Sequence, residues 1–244
     1  RASHSGTMQD MADNGRNTVI EVRDLTIGYD DFVVLEKLNF CVYEKEIFII
    51  LGGSGCGKST ILKHMIGLYP PLGGDILING SSIVHAEEPE KKRISRMFGV
   101  LYQSGALFSS MTLEENIALP LREFTPLSNE MIASMAKLKL SLVGLEGFED
   151  FSPAEISGGM KKRAGLARAL ALNPKILFFD EPSAGLDPIS SAELDQLIME
   201  LRDTLGCTMV IVTHELDSIF TIGDRAIVID KSIKGIIEQG NPKY

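Results

Sequence analysis

Cysteine is scarce in this 244-residue chain. Its three cysteines, Cys41, Cys56 and Cys207, are odd in number and do not follow the spacing of a disulfide framework. This pattern excludes a small disulfide-stabilised secreted domain and indicates a reducing compartment such as the cytosol. Cys56 lies inside a glycine-rich loop, where we interpret it as a small residue rather than as a redox group.

Long apolar segments and an excess of basic residues are also missing. No apolar run reaches the roughly 18–20 residues that a membrane-spanning helix requires, and residues 47–51 have only the length of a strand. We therefore expect other chains to supply any membrane span. The net charge of −9 argues against broad nucleic-acid binding. No nucleic-acid partner is expected, although a local basic patch is compatible with this total.

The first residues are expected to lie outside the fold. Residues 1–7 have no apolar segment like that of a signal peptide and precede Met8, so we interpret them as an expression-tag remnant. The polar residues that follow complete a flexible N-terminus, residues 1–17. One domain is predicted over residues 18–244, because 44% apolar residues suffice for one substantial core.

Short β-rich segments alternate with helical ones from Thr18 onward, which predicts an α/β core with a parallel sheet. The predicted strands are residues 19–22, 40–43, 46–51, 75–79, 98–102, 175–179, 208–213 and 226–230. Helices are predicted at residues 59–67 and 190–205, and a short exposed one at 87–96. Residues from about 104 to 172 are rich in helix formers and predict an inserted helical lobe.

One segment matches the phosphate-loop pattern G-x-x-x-x-G-K-[ST]. It consists of Gly52, Gly53, Ser54, Gly55, Cys56, Gly57, Lys58 and Ser59, followed by Thr60 in the predicted helix. The glycines let backbone N–H groups turn around a β-phosphate, and the helix N-terminus favours the negative charge. Lys58 can bridge the β- and γ-phosphates, and Ser59 can bind Mg²⁺. Because a buried strand precedes this segment and a helix follows it, we predict phosphate binding rather than an ordinary turn.

Two carboxylates follow the apolar residues 176–179. A buried parallel strand presents such residues at its carboxyl end, where these sheets bind ligands. Asp180 can hold Mg²⁺ through water, and Glu181 can polarise an attacking water. Alone, the pair is also compatible with solvated acids at a strand end, but the phosphate loop favours the functional interpretation.

A second glycine motif begins 105 residues after Gly52. Its residues are Ser157, Gly158, Gly159 and Met160, a serine N-cap and a glycine pair that can contact a γ-phosphate. Found alone, it would be an ordinary helix start. One chain cannot easily place both motifs on the same nucleotide, so the pair predicts a homodimer that holds ATP between two copies.

The order of these motifs over residues 18 to about 240 resembles that of ABC transporter nucleotide-binding domains. The resemblance implies a P-loop NTPase (RecA-like) core with an antiparallel β subdomain and the inserted lobe. It also implies ATP hydrolysis with Mg²⁺, catalysed by Glu181, His214 and Lys58. By the same resemblance, Gln103 senses Mg²⁺ and the permease, Ser157–Met160 is the signature, and Asp187 ends the D-loop.

Two aromatic residues are candidates for stacking on adenine. Tyr29 lies 23 residues before Gly52 and is placed like the aromatic residue that stacks on adenine in this family. Phe32 competes for that role, and either ring could belong to the core. His214 is placed like the histidine that contacts the γ-phosphate.

A more specific resemblance, to the Mla/Mce-type ATPases, is carried by residues 101–108, 111–123 and 157–169. Three residues depart from the common ABC pattern: Gly53 in place of proline, Ile156 in place of leucine, and Met160 in place of glutamine. Met160 removes a side-chain amide, but Ser157 and the glycine backbone remain, so ATP binding across the dimer is expected. The Mla/Mce variant of the signature accounts for Met160.

This narrower resemblance implies trafficking of phospholipid or another hydrophobic lipid across the Gram-negative envelope. The implied partners are integral membrane permease subunits and a periplasmic Mce-type lipid-binding protein. The implied location is peripheral, on the cytoplasmic face of the inner membrane. Residues 106–108 belong either to the core of the lobe or to a groove for a permease helix.

Other functions share part of this pattern. Importers of amino acids or other small solutes carry the same general motifs, and a nucleotide-gated interaction module would lack catalysis, against which Glu181 and His214 argue. A DNA-repair ATPase of this type would need a long coiled-coil insertion, and a translation factor would carry two such cassettes. The 105 residues between the two glycine motifs leave no room for the insertion, and this sequence carries one cassette.

Overall fold

The structure is a computed structural model that describes residues 15–30 and 32–242. Residues 1–7, interpreted as a tag remnant, and most of the predicted flexible N-terminus lie outside the described residues. The elements in chain order are β1 (Thr18–Tyr29), β2 (Phe32–Tyr43), β3 (Ile47–Leu51), α1 (Lys58–Met65), β4 (Gly73–Ile78), β5 (Ser81–Ser82), α2 (Glu88–Ser95), β6 (Phe98–Leu101), α3 (Leu113–Phe124), α4 (Asn129–Leu142), α5 (Gly158–Ala169), β7 (Ile176–Asp180), α6 (Pro188–Leu205), β8 (Thr208–Thr213), α7 (Leu216–Ile222), β9 (Arg225–Asp230) and β10 (Gly235–Gly240).

A six-stranded sheet with the order β10-β9-β3-β8-β7-β6 forms the centre of the molecule. The strands from β9 to β6 are parallel, and β10 is antiparallel to β9. Leu51 pairs with Thr213, and Asp180 pairs with Val212. The carboxyl ends of β3, β7 and β8 therefore meet at one edge, which brings together three segments that are far apart in the sequence.

The central sheet separates two apolar clusters. Successive side chains of β3 point to opposite faces, so that Ile47 and Ile49 join one cluster while Phe48 and Ile50 join the other. All four are fully buried. The first cluster continues into α3, α4 and α5, and the second continues into the antiparallel sheet. The parallel α/β core predicted from the sequence is confirmed.

The second sheet is antiparallel, with the order β2-β1-β4-β5. Strands β1 and β2 run for 12 residues each, whereas the sequence predicted only a short segment of either. Their pairing shifts register repeatedly, and Asp24 and Lys37 adopt positive φ angles of 43° and 52°. These irregularities break the alternation of apolar and polar residues, so the full strands are not visible as a pattern.

Three helices lie between β6 and β7, in the region where the sequence predicts an inserted lobe. Each begins at a hydroxyl side chain that accepts a backbone N–H bond: Thr112 for α3, Ser128 for α4 and Ser157 for α5. Their contact is made by fully buried residues such as Ile117 and Leu140. In the part of the chain that the structure describes, no helix combines the length and apolar character needed to cross a membrane.

Candidate functional site

The loop between β3 and α1 needs glycine at two of its positions. Gly57 has a φ of 107°, and a Cβ there would lie 2.7 Å from Val34 Cγ1. A Cβ on Gly52 would lie 2.5 Å from Cys56 Sγ. Gly57 is also the N-cap of α1 and provides no side-chain acceptor, so the first N–H groups of the helix point into the loop. This arrangement fits an anionic phosphate group.

Lys58 and Ser59 begin α1 and face the end of β7. The ammonium of Lys58 donates to the carbonyl oxygens of Gly52 at 2.8 Å and Gly53 at 3.0 Å. The Ser59 hydroxyl donates to Asp180 Oδ1 at 2.7 Å. A hydroxyl and a carboxylate oxygen in contact suit Mg²⁺, which usually keeps several waters and binds one or two carboxylates together with substrate phosphates. The residues present therefore fit this ion.

Glu181 lies between a histidine and a lysine. Its Oε2 is 2.8 Å from His214 Nδ1, and its Oε1 is 3.5 Å from Lys58 Nζ. The backbone of Glu181 has a φ of 48°, a region that costs non-glycine residues energy and that recurs at functional sites. The Glu181 side chain is nearly buried, whereas that of His214 is 56% exposed. The carboxylate is thus held between a buried lysine and a histidine whose side chain is open to solvent.

These residues line one cavity of about 540 Å³. Its lining residues are Tyr29, Phe32, Val33, Val34, Ser54, Gly55, Gly57, Lys58, Ser59, Thr60, Gln103, Glu181, His214, Lys231 and Lys234. Both candidates for the contact with adenine, Tyr29 and Phe32, line this cavity. The Tyr29 hydroxyl is 3.2 Å from Thr60 Oγ1, and its ring packs edge-on against Tyr69.

Sequence reasoning missed two lysines of this cavity. Lys231 and Lys234 lie in the turn between β9 and β10 and line the cavity wall. The Lys234 carbonyl accepts a bond from the Glu36 N–H at 2.8 Å, which ties this turn to β2. The predicted strand 226–230 was the feature of the sequence from which these two lysines could have been found. A strand parallel to β3 must end at the same edge as the phosphate loop, so the residues after it belong to the site.

The second glycine motif lies elsewhere on the described surface and contributes no residue to the cavity lining. Ser157 and Gly158 are exposed, and the Ser157 hydroxyl accepts the Met160 N–H at 3.3 Å. Met160 is half-buried and packs against the cluster that includes α5. Its side chain therefore contributes to the core of the lobe.

Ser190 connects Asp187 with the second glycine motif, since its side chain lies near both. A Cβ on Gly159 would lie 3.6 Å from Ser190 Oγ, and the Ser190 hydroxyl donates to Asp187 Oδ2 at 2.6 Å. This bond holds the pKa of Asp187 below its usual value, together with backbone bonds from Ser190 and Ile189 at the start of α6. The motif and Asp187 form a second exposed site.

Comparison with known proteins places these two sites in one family. A family model described as ABC transporter matches residues 35–184, which is more than half of the chain. The chain belongs to the ABC transporter family. The matched range contains the phosphate loop, Gln103, Ser157–Met160 and the carboxylates Asp180 and Glu181. The resemblance inferred from the order of the motifs is confirmed.

Curated relatives similar to this chain include proteins with two different names. "Probable ribonucleotide transport ATP-binding protein mkl" of Mycobacterium leprae is 46% identical over 205 residues, which are 84% of this chain and 59% of that protein. The chain thus spans less than two thirds of its mycobacterial relatives. The intermembrane phospholipid transport system ATP-binding protein MlaF of Haemophilus influenzae is 40% identical over 211 residues, 86% of this chain and 80% of that one. MlaF of Escherichia coli K12 is 38% identical over 216 residues, with coverages of 88% and 80%.

Solved ABC structures share the whole architecture. CbiO1 of Clostridium perfringens, part of the ABC transporter complex cbiONQ, superimposes with a TM-score of 0.84 at 30% identity and covers 93% of this chain and 90% of its own. The ATP-binding cassette MJ0796, as a dimer in a post-hydrolysis state bound to ADP and Pi, gives 0.83 at 29% identity, with coverages of 92% and 99%. The predicted fold class is confirmed by both.

Proposed function

We propose that the chain is the ATP-hydrolysing subunit of an ABC transporter. The observation that carries this proposal is the position of Glu181, whose carboxylate contacts His214 and Lys58 at the wall of the nucleotide-sized cavity. A carboxylate there can accept a proton from water, and the lysine faces the loop that fits phosphate groups. Family membership and the ADP-bound structural neighbour support the same conclusion.

Each side chain of the cavity has a part in this reaction. Lys58 stabilises the negative charge that develops on the transferred phosphoryl group, and backbone N–H groups of the loop do the same. Glu181 orients the attacking water and takes its proton, while His214 holds Glu181 and reaches the γ-phosphate. Mg²⁺, when held by Ser59 and Asp180 with Gln103 nearby, supplies further neutralisation of phosphate charge. Tyr29 or Phe32 stacks on adenine.

The second exposed site is completed by another copy of the chain. Ser157, Gly158 and Gly159 present a helix N-terminus with an uncovered serine, which suits a γ-phosphate held by the facing protomer. Asp187 lies beside this site and belongs to the same surface. Two-fold pairing then buries two ATP molecules, and loss of the γ-phosphate opens the dimer. The dimeric state of the MJ0796 cassette supports this arrangement.

The partners and cargo follow from the relatives' names. MlaF proteins belong to an intermembrane phospholipid transport system, which supports phospholipid as cargo and permease subunits as partners. A periplasmic Mce-type protein and a peripheral position on the cytoplasmic inner-membrane face complete the proposal. Phe108 is 49% exposed, which makes it available to a permease helix. Its neighbour Leu107 packs against the lobe core.

A second candidate cargo is a ribonucleotide. It is favoured by the higher identity of the mycobacterial proteins, 46% against 40%. The two cargoes are distinguished by purifying the chain with its membrane partners and identifying the small molecules that copurify. Phospholipid that leaves the complex upon ATP addition supports the first candidate. A bound ribonucleotide other than the adenine nucleotide of the cavity supports the second.

The hydrolysis proposal is tested by the substitution Glu181→Gln. We expect ATP binding to persist and turnover to fall about 100-fold or more, because the proton acceptor is lost while the phosphate loop is intact. Binding is measured with a fluorescent ATP analogue, and turnover by phosphate release. As a control, Lys58→Ala should weaken ATP binding at least about tenfold, because it removes a charged contact. Wild-type turnover by the glutamine variant would refute the role of Glu181.

A further inference from the structure

Lys162 is a charged residue of α5 that the proposed mechanism leaves without a role. Only 5% of its surface is exposed. Its ammonium donates to the backbone carbonyl of Gln103 and, at 3.3 Å, to that of Glu181. Lys162 belongs to α5, Gln103 to the loop after β6, and Glu181 directly follows β7. One buried cation therefore connects three parts of the site.

The loop after β6 is attached to α5 by further contacts. A Cβ on Gly165 would lie 2.9 Å from the carbonyl oxygen of Gly105, so the helix and the loop backbone touch. The Arg168 guanidinium donates to the carbonyls of Ala106 at 2.7 Å and Gly105 at 3.2 Å. Residues 103–106 are thus held along one side of α5, and we expect the two segments to move together.

The electrostatic surroundings of Lys162 explain how its charge is accommodated. Burial lowers the pKa of Lys162, and the negative charges of Asp180 and Glu181 act in the opposite direction. A buried ammonium without partners is destabilising. Here two backbone carbonyls accept hydrogen bonds from the ammonium, and two carboxylates compensate its charge. The buried charge of Lys162 is therefore stabilised by residues at the end of β7.

The backbone of Glu181 depends on the same contacts. Its φ of 48° is unfavourable for a residue with a side chain. Its N–H donates to the Val212 carbonyl of β8 at 2.8 Å, and its own carbonyl accepts bonds from the Ala184 N–H at 3.2 Å and from the Lys162 ammonium at 3.3 Å. Of these three bonds, the one from Lys162 joins the backbone of Glu181 to α5.

We propose that Lys162 is a positioning residue that couples the position of α5 to the orientation of the Glu181 carboxylate. This inference rests on the proposed hydrolysis of ATP. When the nucleotide of the facing protomer contacts Ser157 at the start of α5, a shift of that helix reaches Glu181 through the Lys162 ammonium. The second glycine motif thereby influences the catalytic carboxylate of its own chain.

The substitution Lys162→Met tests the inference, because methionine keeps the length of the side chain and removes the donor. We expect kcat to fall about 10- to 100-fold, since small misplacements of a catalytic group have effects of this size. The KM for ATP should stay within about twofold, because Lys58 and Ser59 are untouched. Lys162→Gln should restore part of kcat, since its amide can still donate to a carbonyl.

Lys139→Met is the matched control. Lys139 is also buried, with 3% exposure, and its ammonium donates to Asn173 Oδ1 at 2.5 Å, away from the residues that line the cavity. Its loss removes a buried lysine without touching Gln103 or Glu181. We expect lower stability and a wild-type kcat. An equal loss of kcat in both methionine variants would show that Lys162 acts only through stability and would overturn the inference.

A double-mutant cycle with Glu181→Gln separates the two proposals. If Lys162 acts through Glu181, Lys162→Met should change the residual rate of the glutamine variant by less than about twofold. Full additivity of the two losses would overturn the inference. Absence of ATPase activity in the wild-type chain with its partners would refute the proposed function itself. A wild-type rate of folded Lys162→Met would count against Lys162. If Lys162→Met does not fold, the cycle is run with Lys162→Gln, and full additivity of its loss with that of Glu181→Gln would overturn the inference.

Discussion

Two glycines of the phosphate loop differ in how much space surrounds them. Gly57 combines a φ of 107° with a Val34 methyl 2.7 Å from the position of a Cβ, whereas a Cβ on Gly53 would meet no atom within 4 Å. Gly57→Ala should lower the free energy of unfolding by about 1–3 kcal/mol and weaken ATP binding, because the loop must shift. Gly53→Ala should change stability by no more than about 0.5 kcal/mol. Urea unfolding and ATP titration of both variants check this, and equal losses would contradict it.

The candidate site residues differ in how visible they are in the sequence. Lys58, Ser59, Asp180 and Glu181 belong to compact motifs with a known spacing, and the structure brings them together. Lys162 has no such signal. It stands between Lys161 and Arg163, where a run of charges is typical of a solvated helix face. Its burial arises from the approach of β7 and the loop after β6, which no local pattern encodes.

At the scale of elements, α7 is attached to α6 through a buried carboxyl group. Asp195 of α6 is 6% exposed. Burial raises its pKa, the negative charge of Glu215 raises it further, and a hydrogen bond from Ser218 lowers it. Its Oδ1 has no partner among the described residues. α7 begins directly after the loop that carries His214, so this contact supports the site indirectly.

The pKa of Asp195 leads to a prediction about pH. Because the folded-state pKa is raised, the folded state binds the proton more tightly than the unfolded one. The contribution of Asp195 to wild-type stability should therefore be complete below the pKa of the unfolded state, about 3.9, and should be lost as the pH rises through the pKa of the folded state. Asp195→Asn cannot ionise and should not show this decrease. We expect its Tm to exceed that of the wild type by a few degrees at about pH 8 and by less at about pH 4.

Asp217→Asn, at an exposed position of α7, is the control for this prediction. Its Tm difference from the wild type should show less dependence on pH than that of Asp195→Asn, because this substitution leaves the buried carboxyl group of Asp195 in place. A constant Tm difference between Asp195→Asn and the wild type across the pH range would contradict the assignment of the raised pKa.

Long elements with regular periodicity were predicted better than short or irregular ones. The helix predicted at residues 190–205 is α6, which begins at Pro188 with Asp187 as its N-cap. By contrast, α7 has seven residues and β10 has six, and neither was predicted. Neither segment has the continuous apolar run that made the five-residue strands β3 and β7 visible in the sequence, and contacts with the central sheet decide their conformation.

At the scale of the whole molecule, the second exposed site predicts dimerisation. Ser157→Arg introduces a bulky cation at the positive end of α5, where it should repel the facing protomer's Lys58 and block access of its γ-phosphate. In the Glu181→Gln background, we expect the ATP-dependent dimer to be lost while ATP binding by the monomer persists. Analytical ultracentrifugation with and without ATP measures the dimer.

Ser128→Arg provides the matched control, because Ser128 is also an exposed serine N-cap whose hydroxyl accepts a backbone N–H at 3.3 Å. Both substitutions remove an N-cap side chain, which lowers the free energy of unfolding by about 0.5–2 kcal/mol. Only the one at Ser157 should abolish the dimer. Equal dimerisation of the two variants would count against a nucleotide held between protomers.

The chain's motifs were sufficient to identify the family and to single out residues 52–59, Asp180 and Glu181 as candidate site residues, because these depend on residue types at short, fixed spacings. Their relative placement depends on the parallel register that aligns the ends of β3, β7 and β8. That register also decides that Lys231 and Lys234 line the cavity and that Lys162 is buried beneath Glu181. Contacts between distant segments create these features, and so no local pattern in the sequence reveals them.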